Sequence, residues 1–134
     1  MGKDSYRTSE KLGGFDFIKK VKAEGKAKLI GFSYHDGPEL LDEILTKYPI
    51  FDFVQLQINY LDWTSHLINS GKNYEVAVKH GLKVVVMEPI KGGKLANLPE
   101  NALKVMREGG LMDNPAHYAI RFAASLDNVM MVLS

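Results

Sequence analysis

Four strand-like segments of this sequence end in side chains that could do chemistry: Ser33-Tyr34-His35, Gln57-Ile58-Asn59-Tyr60, Met87-Glu88-Pro89 and Leu133-Ser134. Ser33 and His35 are types used in nucleophilic and acid–base catalysis. Residues two apart on a tight loop rarely aim at one point, however, and no carboxylate is spaced to orient His35. The expectation is a loop histidine with a hydrogen bond. The remaining histidines, His66, His80 and His117, lack metal-ligand spacing, so no metal site is expected. Gln55 and Gln57 fall in a strand expected to be buried on both faces. An unpaired buried amide costs ~1–3 kcal/mol, so each must meet backbone, water or a ligand. Glu88 and Pro89 turn the chain sharply into Lys91-Gly92-Gly93, where glycine N–H groups and a lysine charge could approach a phosphate; a plain flexible loop would read the same. Neither G-x-G-x-x-G nor G-x-x-x-x-G-K-[ST] occurs. Trp63, the only tryptophan, lies in a long loop after Asn59. With Tyr60 it either walls a pocket or packs over the rim of the fold.

These positions depend on the elements that carry them. Residues 1–13 are polar, without apolar periodicity, and read as a frayed or linker-like start. Phe17, Ile18 and Val21 then predict a helix that Gly25 stops, and Lys28-Leu-Ile-Gly-Phe-Ser33 predicts a short strand. Pro38 suits the first turn of a helix with Leu40, Leu41, Ile44 and Leu45 on one side, ended by Pro49. A strand over 51–58, a helix through Tyr74 to Val78 ended by Gly81, and a strand over 83–87 follow. Ala102, Leu103 and Met106 mark a short helix ended by Gly109-Gly110. Asn114-Pro115 opens another, and 129–133 reads as a fourth strand. Alternation without hairpin signals predicts an α/β fold of parallel strands joined by right-handed crossovers. Two architectures satisfy it: an open doubly wound sheet, or an arc of a (β/α)8 barrel, which in full takes ~250 residues.

At 134 residues, 46% hydrophobic and 25% charged, the sequence suits one folded domain rather than a disordered segment. Seventeen Lys+Arg against sixteen Asp+Glu leave a net charge of +1, which provides no drive toward nucleic acid or anionic membranes. The absence of cysteine excludes disulfides, thiolate nucleophiles and Cys-ligated metal or iron–sulfur centres in this chain. No apolar run approaches the ~18 residues of a membrane span, and a cytoplasmic location is the expectation.

Read in order, the segments resemble a known family. Phe17-Ile-Lys-Lys-Val-Lys-Ala-Glu-Gly-Lys-Ala-Lys-Leu-Ile-Gly-Phe-Ser33 resembles the stretch of aldo-keto reductases that leads into the fifth barrel strand. Gln55-Leu-Gln-Ile-Asn59 is similar to the sixth strand, and Lys83-Val-Val-Val-Met-Glu-Pro-Ile-Lys-Gly-Gly93 to the seventh. Asn114-Pro-Ala-His-Tyr-Ala-Ile-Arg-Phe-Ala124 with 129–134 is similar to the eighth helix–strand unit. The resemblance implies half of a TIM (β/α)8 barrel over 14–134, preceded by the polar segment 1–13.

The same resemblance implies an NAD(P)H-dependent oxidoreductase that reduces aldehydes or ketones by hydride transfer, with NADP or NAD as cofactor. Ser33 and Gln55 would hold the nicotinamide carboxamide, which would give Gln55 its partner. Met87 would stand where an aromatic side chain usually stacks on the ring, with Glu88, Pro89, Ile90 and Gly92 following beside the pyrophosphate. Tyr34, at a position often occupied by Asn, and Trp63 would face the substrate. The family's catalytic Asp, Tyr, Lys and His belong to the first four strands, so no catalytic residue is assigned and the isolated chain is expected not to turn over carbonyl substrates. The Met-Glu-Pro and Gly-Phe-Ser strings look most like a branch that often adds an iron–sulfur region. A four-stranded arc leaves bare sheet edges, so a homodimer or strand-exchanged oligomer is expected. The alternatives are a non-catalytic half-barrel binding or assembly module, and a flavodoxin-like domain, whose acidic cluster or Ser/Thr-rich phosphate loop is missing.

Overall fold

The computed structural model describes residues 1–111 and 114–133; Ser134, expected at the end of the fourth strand, lies outside the described residues. The elements run α1 (Lys3–Lys11), α2 (Gly14–Ala23), β1 (Gly31–Ser33), α3 (Pro38–Lys47), β2 (Phe53–Gln57), α4 (Ser70–Lys79), β3 (Lys83–Met87), α5 (Glu100–Glu108), α6 (Pro115–Ala124) and β4 (Val129–Val132). The strands form a parallel sheet in the order β1-β2-β3-β4. That order decides between the two architectures. A doubly wound sheet reverses direction at a switch point, whereas a barrel arc adds each strand beside the last.

Register sorts the side chains onto two faces. Ser33 pairs with Gln55, Gln55 with Val85, Val85 with Met131, and Gln57 with Met87, so these share the inner face of the arc. The alternate residues Val54, Leu56, Val84 and Val86 point outward and are buried with Leu41, Ile44 and Leu45 of α3, Ala77 of α4 and Ala123 of α6. The strand β2 is therefore buried on its outer face only. Phe53, Gln55 and Gln57 are half-buried, which corrects the expectation of burial on both faces. Its helices cover one side, and the other faces the barrel axis.

The helices start and stop where local chemistry dictates. Pro38 occupies the first turn of α3, where its missing N–H costs nothing. Asn114 caps α6 through its side-chain oxygen, which accepts from the Ala116 N–H at 2.9 Å. Gly25 and Gly81 take positive φ just beyond α2 and α4.

The N-terminal segment differs from its expectation. Instead of fraying, residues 3–11 form α1, which one aromatic side chain docks. Tyr6 is fully buried, with its ring edge-on to Phe15 at 5.8 Å and to Tyr48 at 6.4 Å. Beside it the Glu10 carboxylate accepts from Lys47 Nζ at 2.5 Å and Tyr48 Oη at 2.8 Å, and these bonds hold its pKa down at about 2. A single buried residue in nine is too sparse to register as apolar periodicity.

Candidate functional site

The carboxyl ends of β1, β2 and β3 bring three of the expected residues together. Ser33 Oγ lies 3.8 Å and Gln55 Nε2 3.4 Å from Met87 Sδ, so a hydroxyl, an amide and a thioether converge on the inner face. Thioether sulfur is a weak acceptor, so both polar groups keep hydrogen-bonding capacity for something else. Ser33 Oγ also lies 2.7 Å from His35 Nε2. The two side chains meet after all, because residues two apart in extended backbone share a face. Burial and the neighbouring Met1 ammonium lower the His35 pKa, which keeps the ring neutral at pH 7.

The same alternation turns Tyr34 away. It is buried in the outer layer, edge-on to Phe32 at 6.2 Å, and its hydroxyl donates to the Gly37 carbonyl at 2.5 Å. The expected substrate-facing role of Tyr34 is thus corrected: its side chain serves the core. Trp63 sits among the helices, 5.6 Å from Tyr74 of α4 and 5.4 Å from Phe122 of α6, and is not brought to the Ser33–Gln55–Met87 group. Of the loop after β3, Pro89 is buried, Ile90 is half-buried, and Glu88 and Gly92 are exposed.

A second cluster was not foreseen in the sequence. Asp62, only 3% exposed, lies in the loop after β2, and its carboxylate accepts from Lys91 Nζ, from Gln57 Nε2 at 2.8 Å and from Asn59 Nδ2 at 2.9 Å. Its own N–H donates to Asn59 Oδ1 at 2.9 Å. Burial pushes the Asp62 pKa up, but the bonds from Lys91, Asn59 and Gln57 and the Lys91 charge outweigh it and hold the group below the usual carboxylate range. Two consequences follow. The Gln57 amide is committed to Asp62, whereas the only partner of the Gln55 amide among the described residues is the Met87 sulfur. The Lys91 charge, expected to be open to a phosphate, is already paired with Asp62.

The loop that carries Lys91 is bent by unusual backbone. Glu88 and Lys91, neither of them glycine, have φ of 56° and 51°, a left-handed conformation that costs ~1–2 kcal/mol per residue. Asn59 Nδ2 and the Lys91 N–H both donate to the Glu88 carbonyl at 3.1 Å and pin the turn. The only sequence signal for this cluster is Asn59 three residues before Asp62, the spacing at which an Asn side chain accepts from a following N–H.

Among the described residues no group of His, Cys, Asp and Glu could hold a metal ion, and no helix is long and apolar enough to cross a membrane.

Comparison with known proteins fits this geometry to a family. The sequence profile of the Aldo/keto reductase family matches residues 6–134. The chain belongs to that family. Among solved structures, this aldo/keto reductase chain is similar to the aldo-keto reductase AKR11C1 from Bacillus halodurans in its apo form, at 22% identity and a TM-score of 0.62, over 88% of this chain and 44% of that one. The holo form of the same enzyme matches at 20% identity and a TM-score of 0.63, over 98% of this chain and 45% of that one. The chain thus spans about half the length of these relatives, in keeping with four strands of an eight-stranded barrel. At such identity the likeness establishes the shared fold. No curated protein sequence matches the chain significantly.

Proposed function

We propose that this chain supplies part of the nicotinamide-dinucleotide site of an NAD(P)H-dependent oxidoreductase acting on small aldehydes or ketones. The observation that carries the reading is the convergence of Ser33 Oγ and Gln55 Nε2 on the Met87 sulfur. A carboxamide both donates and accepts; Ser33 can do either, and the Gln55 amide provides both functions. Neither has a strong partner besides His35, so an arriving amide would replace weak contacts with better ones. The soft side chain of Met87 would cover a ring face, and 88–92 would run beside the diphosphate, where the N–H groups of Gly92 and Gly93 donate to no acceptor among the described residues. The bound cofactor would supply hydride; the residues of this chain would orient the ring and exclude water from one side of it. Among the described residues no Tyr–Lys–His proton donor assembles at these strand ends, so the isolated chain is proposed not to reduce carbonyls.

The inner face and the β4 edge favour a second element of the reading. Met130, Met131 and Leu133 are 45%, 51% and 41% exposed. Apolar side chains on an unpaired strand edge invite another sheet, so a second copy of this chain, docked edge to edge or by strand exchange, is proposed to cover them. A cytoplasmic location is part of the same proposal.

The test is a titration of the chain with NADPH, NADH and nicotinamide mononucleotide, followed by amide chemical shifts. Binding should perturb Ser33, Gln55 and Met87, and Gln55→Leu and Ser33→Ala should each weaken it about tenfold, the loss of one or two neutral hydrogen bonds. Millimolar ligand without any shift at these residues would refute the reading, and NADPH oxidation with an aldehyde panel would refute the proposed inactivity.

A further inference from the structure

The Asp62 cluster is not explained by packing alone. Asn59 is fully buried, and through one amide it joins Asp62 to the Glu88 carbonyl; Lys91 joins Asp62 to the other end of the same turn. The turn from Glu88 to Lys91 is therefore gripped at both ends by the loop after β2. Those ends are two of the four non-glycine residues with left-handed backbone among the described residues, a conformation that persists only where its surroundings impose it. Within the loop, Lys91 N–H donates to Glu88 O, Lys94 N–H to Lys91 O and Leu95 N–H to Ile90 O. Immediately beyond the grip lie the exposed Gly92 and Gly93 with their unshared N–H groups.

We propose that Asp62 is a positioning residue: paired with Lys91 and Asn59, it sets the turn at 88–91 so that the Gly92 and Gly93 N–H groups are presented to the diphosphate of a dinucleotide. This rests on the dinucleotide reading above. In this arrangement Lys91 works through Asp62 as a structural cation, and the anion is met by backbone N–H groups. The ligand class that depends on Asp62 is thus one carrying a diphosphate, while a nicotinamide ligand without any phosphate depends on Ser33 and Gln55 alone.

The experiment compares wild type, Asp62→Ala, Asp62→Glu and Lys91→Met by amide hydrogen exchange and by titration with NADPH and nicotinamide riboside, which carries no phosphate. Asp62→Ala should lower protection at Lys91, Lys94 and Leu95 at least tenfold while the β2–β3 ladder amides keep theirs. Lys91→Met, which leaves the bonds of Gln57 and Asn59 to Asp62 in place, should lower protection at Lys94 and Leu95 in the same direction. NADPH affinity should fall about tenfold in Asp62→Ala, recover in part in Asp62→Glu, and affinity for the riboside should stay within twofold. Unchanged protection at the loop in both Asp62→Ala and Lys91→Met would overturn the proposal, as would equal loss of affinity for both ligands. Should wild type bind neither ligand, the dinucleotide reading falls, and the exchange arm still upholds or overturns the hold of Asp62 on the loop.

Discussion

Replacing Gly31 by alanine tests the register on which the Ser33 placement depends. A Cβ at Gly31 would stand 2.5 Å from Cδ2 and Cε2 of the Phe53 ring and 2.5 Å from the Phe53 carbonyl oxygen. Non-bonded carbon atoms settle at about 3.5–4.0 Å, so roughly an ångström of separation must be found. The ring can swing aside, but the carbonyl belongs to β2, whose Phe53 is the register partner of Gly31 itself. The strand β1 must therefore withdraw from β2. Alanine in a strand normally gains ~0.5–1 kcal/mol over glycine, and overpacking costs ~1–3 kcal/mol, so the net loss expected is about 1–2 kcal/mol. At roughly 3–5 °C per kcal/mol for a chain of this size, the Tm should fall by about 3–10 °C. Urea and thermal melts followed by circular dichroism measure this directly. Adding Phe53→Leu, which removes the ring and keeps the carbonyl, should restore only part of the loss. A Gly31→Ala chain as stable as wild type, or full restoration by Phe53→Leu, would refute the close approach of β1 to β2.

Three further outcomes are expected. Tyr6→Ala should cost ~3–5 kcal/mol in urea melts by emptying the aromatic socket under α1, while Tyr6→Phe should cost about 1 kcal/mol; a Tyr6→Ala chain with unchanged stability would mean that α1 does not dock. Asp52 is pushed up by burial, but Lys22 Nζ at 2.6 Å and the Ile30 N–H at 2.9 Å hold its carboxyl below the usual value. A depressed folded pKa adds stability that is complete above pH ~4 and disappears as pH falls through the folded value, so acid should destabilise wild type more steeply than Asp52→Asn below pH ~4; parallel profiles would count against the pair. Sedimentation velocity at micromolar concentration should find dimers or larger species, which Met131→Lys on the open face should shift toward monomer; a monomeric wild type would remove the second-copy proposal.

The amino-acid sequence by itself determined the element order after residue 14 and the parallel strands. Glycines and prolines mark nearly every boundary, and β-branched runs such as 83–87 have few other uses. It also singled out Ser33, Gln55 and Met87, through their likeness to a family's strand ends. Three things waited for the tertiary structure. Local pattern left a barrel arc and a doubly wound sheet both open; the family likeness pointed to the arc, and strand order, which local pattern does not encode, decided it. The opposite fates of Ser33 and Tyr34 needed the face each presents, because a shift of one residue in strand register exchanges inside and outside. The Asp62–Lys91 pair joins two loops 29 residues apart in sequence, and only folding sets a carboxylate with no periodic signature against the lysine that it neutralises.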